Sequence, residues 1–183
     1  MKLLSRVVIA TFFCASLSFA ETPKFAEPIL LTTCGQSADG MSAKLLLQRD
    51  SLAFDYQPQA TAEQLPGHGS LIIVVGGSSK GLGAAKISTD DETARVVQLL
   101  AAAQASEVPI LALHLGGPSR RGSLSDPFNL LGAEHAHHII VVKGGDDDQF
   151  FTKLAAEHEI PLQTVDKTLD VAGLLKALYS SGE

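Results

Sequence analysis

Leu71-Ile72-Ile73-Val74-Val75 is a run of five apolar residues, four of them β-branched, with no polar residue between them. A strand with one wet face alternates apolar and polar positions. A continuous run instead marks a strand covered on both sides, the usual state of a parallel sheet. Pro28 to Thr33, Val108 to Leu115 and Ile139 to Val142 read the same way, with Leu162 to Val165 as a last strand and Leu52 to Tyr56 as a weaker candidate. Helical patterns lie between them: Ser37 to Gln48, Asp90 to Ser106, Asp126 to Gly132, Gln149 to His158 and Leu169 to Tyr179. In Asp90 to Ser106, Val96, Leu99, Leu100 and Ala103 recur at helical spacing, while Asp90, Asp91 and Glu92 suit the positive end of the helix dipole. Alternating strands and helices imply parallel βαβ units. The expected fold is therefore α/β: a single three-layer α/β/α sandwich, Rossmann-like or flavodoxin-like, with a mainly parallel sheet of about five strands. The stretch between Leu47 and Leu71, with Pro58, Pro66, Gly67 and Gly69, reads as loop.

The first 20 residues have a basic start (Lys2, Arg6), an apolar run from Val7 to Phe13 and the ending Ser18-Phe19-Ala20. This is the layout of a cleaved secretory signal, too short for a spanning helix. The expectation is a signal peptide over residues 1–20, cleavage near Ala20, and one periplasmic or secreted domain over residues 21–183 with no membrane insertion. Cleavage takes Lys2 and Arg6 away and leaves 12 basic against 20 acidic side chains, net −8. Nucleic-acid binding needs a basic footprint, so no nucleic-acid partner is expected. Cys14 leaves with the signal, and Cys34 alone cannot form an intramolecular disulfide. It reads as a buried small apolar group rather than a nucleophile.

Three strands end in glycine pairs: Val75-Gly76-Gly77, Leu115-Gly116-Gly117 and Lys143-Gly144-Gly145. In a parallel sheet these ends share the edge where open α/β proteins bind ligands. The longest loop, Gly76 to Ala85, offers amides, the hydroxyls of Ser78 and Ser79, and Lys80, a set suited to a carboxylate or phosphate. Gly77, Gly81 and Gly83 have the spacing of a short-chain dehydrogenase cofactor loop, but no Tyr-x-x-x-Lys pair follows, and no Gly-Lys-Ser/Thr makes a P-loop. No cofactor is expected. The loop after Leu115 adds Arg120 and Arg121, of which one should face a pocket because adjacent residues point apart. Ser37 reads as a helix cap or, together with Gln36, as a ligand donor in the shared crevice. Asp39 is either a dipole partner or a general base, and His114, at its strand's exit, is the histidine nearest the shared edge. Glu134-His135-Ala136-His137-His138 lies at the opposite edge and is not read as a metal site. Asp146-Asp147-Asp148 reads as a helix start rather than a calcium loop.

The segments Leu30 to Asp39, Val74 to Ala85 and His114 to Asp126 together resemble a family of secreted bacterial proteins known only as domain of unknown function 6305. The likeness spans nearly the whole mature chain. It implies that Gln36, Ser37, Asp39, Ser78, Ser79, Lys80, Arg120, Arg121, Ser125 and Asp126 belong to the family's pattern, and it supplies no activity. Cys34 stands where a small residue is expected. The leading functional expectation is a periplasmic binding module holding a small anionic molecule with Gln36, Ser37, Asp39, Gly77, Ser78, Ser79, Lys80, Gly81, His114, Gly116, Gly117, Arg120 and Arg121. The alternatives are a hydrolase or transferase using Asp39 or His114 as general base, and an accessory that docks on an envelope protein partner.

Overall fold

The computed structural model describes residues 25–180, so the expected signal segment lies outside the described residues. Among these residues six strands form one sheet: β1 (Ile29–Cys34), β2 (Phe54–Tyr56), β3 (Ser70–Val75), β4 (Ile110–His114), β5 (His138–Val142) and β6 (Leu162–Val165). Their order is β2-β1-β3-β4-β5-β6, and every neighbouring pair is parallel. The helices are α1 (Asp39–Arg49), α2 (Ser79–Ala85), α3 (Thr89–Ala105), α4 (Asp126–Ala133), α5 (Phe150–Glu157) and α6 (Val171–Ser180).

The continuous apolar runs are explained by burial. Every residue of β1, β3 and β4 is buried, so consecutive side chains must both meet protein. Alternate residues feed two cores. Leu30, Leu71, Ile73, Val75, Ile110, Ala112, Ile139 and Val141 point to one layer, where they meet Val96 and Leu99 of α3, Phe128 of α4 and Phe151 of α5. Ile29, Leu31, Ile72, Val74, Leu111, Leu113 and Ile140 point to the other, where they meet Leu46 and Leu47 of α1 and Val171 and Leu175 of α6. Each fully buried leucine, isoleucine or valine contributes about 1.5–3 kcal/mol, which is how a fold with no disulfide among its described residues is held.

The sheet has one strand more than about five. The sixth is β2, which is short, half-buried and confined to the edge beside β1, so its apolar signal is weak. A second difference is α2. The stretch from Ser79 to Ala85, read as glycine-rich loop, is a short helix whose start is capped by Ser78, its Oγ accepting from the Gly81 amide at 3.1 Å. Helix α3 begins at the expected acidic turn, where Ser88 caps it and Asp91 closes a capping box by accepting from the Ser88 amide at 3.1 Å.

The two glycines inside α2 have opposite reasons to be there. A Cβ on Gly81 would overlap the carbonyl oxygen of Gln36, a backbone atom, whereas Gly83 has nothing within 4 Å of that position. Gly81→Ala is therefore expected to lower stability by about 1–3 kcal/mol through overpacking. Gly83→Ala is expected to raise it by up to about 1 kcal/mol through helix propensity. Urea unfolding of both variants checks the pair, and equal effects would refute the packing difference.

Candidate functional site

The strand exits meet at one edge, but the junction between β1 and β3, where the strand order reverses, is closed. Gln36 and Gly77 form an antiparallel bridge. The Gly76 amide donates to the Cys34 carbonyl at 3.0 Å, and the Ser78 amide donates to that of Gly35 at 2.8 Å. The glycine-pair loops thus pack on one another more than they line an open floor. Added Cβ atoms would strike the Gly76 carbonyl oxygen from Gly35 (2.6 Å), the Leu124 carbonyl oxygen from Gly77 (2.6 Å), the Arg120 side chain from Gly116, and the His114 ring from Gly145. At Gly117, buried and at φ +52°, an added Cβ would meet nothing within 4 Å, and the glycine serves the turn instead.

Beneath this junction lies a residue that sequence reading assigned to a dipole effect. Glu92 of α3 has no solvent exposure. Its carboxylate accepts from the Gly35 amide at 2.9 Å, from Gln36 Nε2 at 3.1 Å to each oxygen, and from Arg95 Nε and Nη2 at 2.8 Å. Arg95 Nη2 also donates to the Thr33 carbonyl and Nη1 to that of Ala60, both at 2.6 Å. Gln36, expected as a ligand donor, therefore gives its amide to Glu92 and to the Pro58 carbonyl, at 3.1 Å. The spacing Glu92-x-x-Arg95, with both residues on the face that carries Val96 and Leu99, is the signal that would have revealed this pair.

Ser37 is buried and bonds within its own turn. Its Oγ donates to Asp39 Oδ2 at 3.0 Å and accepts from the Asp39 amide at 3.2 Å, and no side chain caps α1. Asp39 Oδ2 also receives Arg120 Nε at 2.9 Å. The Arg120 carbonyl is held by Asn129 Nδ2 at 2.9 Å and stands 3.1 Å from His114 Nε2, which donates to it. With that tautomer the fully buried Nδ1 of His114 has no hydrogen-bond partner. Burial, above all, pushes the imidazole below its ordinary range. His114 is thus a strut under Arg120, and neither it nor Asp39 lines the crevice described next.

That crevice lies between the β3–α2 and β4–α4 loops, with a volume of about 430 Å³. Its walls are Gly77, Ser78, Ser79, Lys80, Ser119, Arg120, Arg121, Leu124 and Ser125. Lys80 is exposed. Arg120 spends Nε on Asp39 and makes one further contact, a 3.5 Å bond from Nη1 to the Ser119 carbonyl. Arg121 is fully engaged: Nε on Asp126 at 2.8 Å, Nη1 on the Gly145 carbonyl at 2.7 Å and on Asp148 at 2.8 Å, and Nη2 on Asp148 at 3.0 Å. Of the two arginines, Arg120 is the one with donors to spare. Ser125 Oγ accepts from the Gly77 amide at 3.1 Å and so ties the two loops together.

The remaining candidates lie elsewhere. Cys34 is buried, its thiol facing the Phe128 carbonyl at 3.2 Å, and burial holds it protonated by raising its pKa far above the usual range. His137 Nδ1 accepts from the Ile110 amide at 3.0 Å, and His138 Nε2 pairs with Gln163 at 3.0 Å, both at the far edge of the sheet. Asp146 accepts from the Phe151 amide at 2.7 Å and starts α5 as read.

Removing one partner of a buried ion pair leaves the other uncompensated, at a cost of about 3–5 kcal/mol. Glu92→Ala is expected to lose that much in urea unfolding, whereas a loss below 1 kcal/mol would deny Glu92 its central place. A second expectation concerns acid. Hydrogen bonding to Arg121 holds the Asp148 carboxyl down at about 2, below its ordinary value of about 3.9. The stability this contributes is complete above about pH 4 and is lost as pH falls toward 2. Asp148→Asn is therefore expected to be less stable than the wild type at pH 6, with the gap closing between pH 4 and pH 2.

Comparison with the curated proteins gives no sequence match. Among solved structures the chain is similar to a GDSL-like lipase from Bacteroides thetaiotaomicron, at 10% identity and TM-score 0.37, covering 79% of this chain and 71% of that one. It is similar to a putative acylhydrolase from Bacteroides fragilis at 11% identity and TM-score 0.35, covering 79% and 72%. It is also similar to a mutant of the esterase AlinE4 at 12% identity and TM-score 0.32, covering 87% and 84%. The family model described as Domain of unknown function (DUF6305) matches residues 26–179, nearly all of the described chain, and the protein belongs to that family.

Proposed function

We propose that the protein is an extracytoplasmic binding module that holds a small anion, a carboxylate or a phosphate, in the crevice between the β3–α2 and β4–α4 loops. One observation carries the reading. In a chain of net charge −6, the crevice wall has Lys80, Arg120, Arg121 and four serines but no carboxylate. Lys80 has no ion-pair partner among the described residues. Arg120 is held in place by Asp39 through Nε, which leaves its terminal nitrogens for a ligand. The hydroxyls of Ser78, Ser79 and Ser119 supply neutral donors around these charges. The extracytoplasmic part of the proposal rests on the signal-like layout of residues 1–20.

Binding without chemistry is favoured over general-base catalysis by the positions of the two candidate bases. Asp39 is occupied by Arg120 and Ser37, and His114 is sealed under the Arg120 carbonyl. No helix among the described residues is long and apolar enough to cross a membrane.

A ligand that binds only the native state raises the melting temperature, so a thermal-shift screen of carboxylates, phosphates and nucleotides identifies the anion. Lys80→Ala is then the test. The side chain is exposed, so its removal is expected to alter stability by no more than about 0.5 kcal/mol. Loss of a charge-assisted hydrogen bond is expected to weaken the anion by about 1.5–3 kcal/mol, roughly tenfold to a hundredfold, in calorimetric titration. Unchanged affinity would remove the crevice from the function.

A further inference from the structure

Arg121 stands on the wall of two crevices. On one side is the anion crevice; on the other is a second hollow of about 340 Å³, whose wall includes Asp126, Asp147 and Asp148. The guanidinium lies between them as a fixture rather than a free charge. Three of its nitrogens are tied to Asp126, Asp148 and the Gly145 carbonyl at 2.7–3.0 Å, its central carbon lies 4.5 Å over the Phe150 ring, and the side chain is 14% exposed. It therefore occupies the place that a ligand's cationic group would need in order to meet Asp126 and Asp148.

We propose that Arg121 is a specificity-determining residue that restricts the crevice to simple anions and rejects anions carrying a cationic tail. This rests on the anion-binding reading above. An ω-amino carboxylate seated at Lys80 and Arg120 finds, in the wild type, a guanidinium where its ammonium would need a carboxylate. Like charges brought together in this way discriminate by repulsion as well as by lost contact. Without Arg121, Asp126 and Asp148 lose their built-in counterion and the second hollow becomes a receptor for the tail.

The test is calorimetric titration of the wild type and of Arg121→Met, whose thioether keeps an apolar contact with Phe150. The paired probes are acetate against 6-aminohexanoate, phosphate against 6-aminohexyl phosphate, and hexanoate as the uncharged-tail control. In the wild type the simple anion is expected to bind at least as tightly as its ω-amino partner. In Arg121→Met the affinity ratio is expected to move tenfold or more toward the ω-amino probe. Arg121→Gln, which keeps a polar side-chain donor without the charge, reads out the same ratio should the methionine variant fail to fold. An unchanged ratio in a variant that melts cooperatively overturns the proposal, as does an equal gain for hexanoate. Tighter binding of the ω-amino probe by the wild type does the same. Failure of every simple anion to bind the wild type instead overturns the anion-binding reading, and this inference with it.

Discussion

A carboxylate taken wholly out of water has to recover several kcal/mol of lost hydration from protein donors. Glu92 does so with the Gly35 amide and the Gln36 side chain from the turn after β1 and with the Arg95 guanidinium from its own helix. Gly35 and Gln36 turn the chain out of β1. Arg95 reaches from α3 to the Thr33 carbonyl in β1 and to the Ala60 carbonyl in the segment leading to β3. With the β1 turn fixed in this way, the Gln36 carbonyl stands where only a glycine can pass, and α2 is seated through Gly81. The bridge from Gln36 to Gly77 then sets the start of the β3–α2 loop. The position of Ser78, Ser79 and Lys80 at the crevice thus depends on one buried acid beneath the junction of β1 and β3.

The β4–α4 loop is fastened by a different device. Arg120 ends a short 3-10 turn (Gly117–Arg120) and Arg121 follows it in extended conformation, and the two side chains grip different neighbours. Arg120 reaches back to Asp39 at the start of α1, while Arg121 reaches forward to Asp148 ahead of α5. Between them the Arg120 carbonyl is pinned by Asn129 and His114. A loop held on both flanks and from beneath has little conformational freedom left to lose, so a ligand meeting it pays less ordering entropy. The same fastening explains why His114, the histidine nearest the site, serves as a support: its depressed basicity comes chiefly from the burial that the support requires.

What the sequence made legible follows physical lines. Strands β3, β4 and β5 are readable because burial on both faces demands apolar residues without interruption, and α3 is readable because its buried stripe and its acidic first turn agree. β2 is faint because an edge strand of three half-wet residues makes no such demand. α2 was hidden because Gly81 and Gly83 both argue against helix, and only the tertiary contact with Gln36 accounts for the first of them. Glu92 was assigned to the helix dipole because its neighbours Asp90 and Asp91 are exposed and sequence does not show which acid of three turns inward. The glycine pairs mark the right edge of the sheet. Sequence does not distinguish a glycine that makes room for a ligand from one that makes room for a neighbouring loop, and Gly35, Gly77, Gly81 and Gly145 are of the second kind.

The charge balance at the crevice has a consequence for how an anion would be held there. Arg120 is compensated by Asp39, and Arg121 by Asp126 and Asp148, so Lys80 is the one basic side chain on the wall without an ion-pair partner among the described residues. One exposed ammonium in a chain of net −6 produces little attraction beyond a Debye length of about 8 Å at physiological ionic strength. Long-range steering therefore contributes little, and the chain's net charge opposes the approach of an anion. Recognition has to come at contact, from donors whose positions are already set: the terminal nitrogens of a guanidinium fixed by its own Nε, and hydroxyls on two loops tied together through Ser125. Under the anion-binding proposal, such a site would discriminate by where acceptor atoms and charges sit on the ligand rather than by its total charge alone.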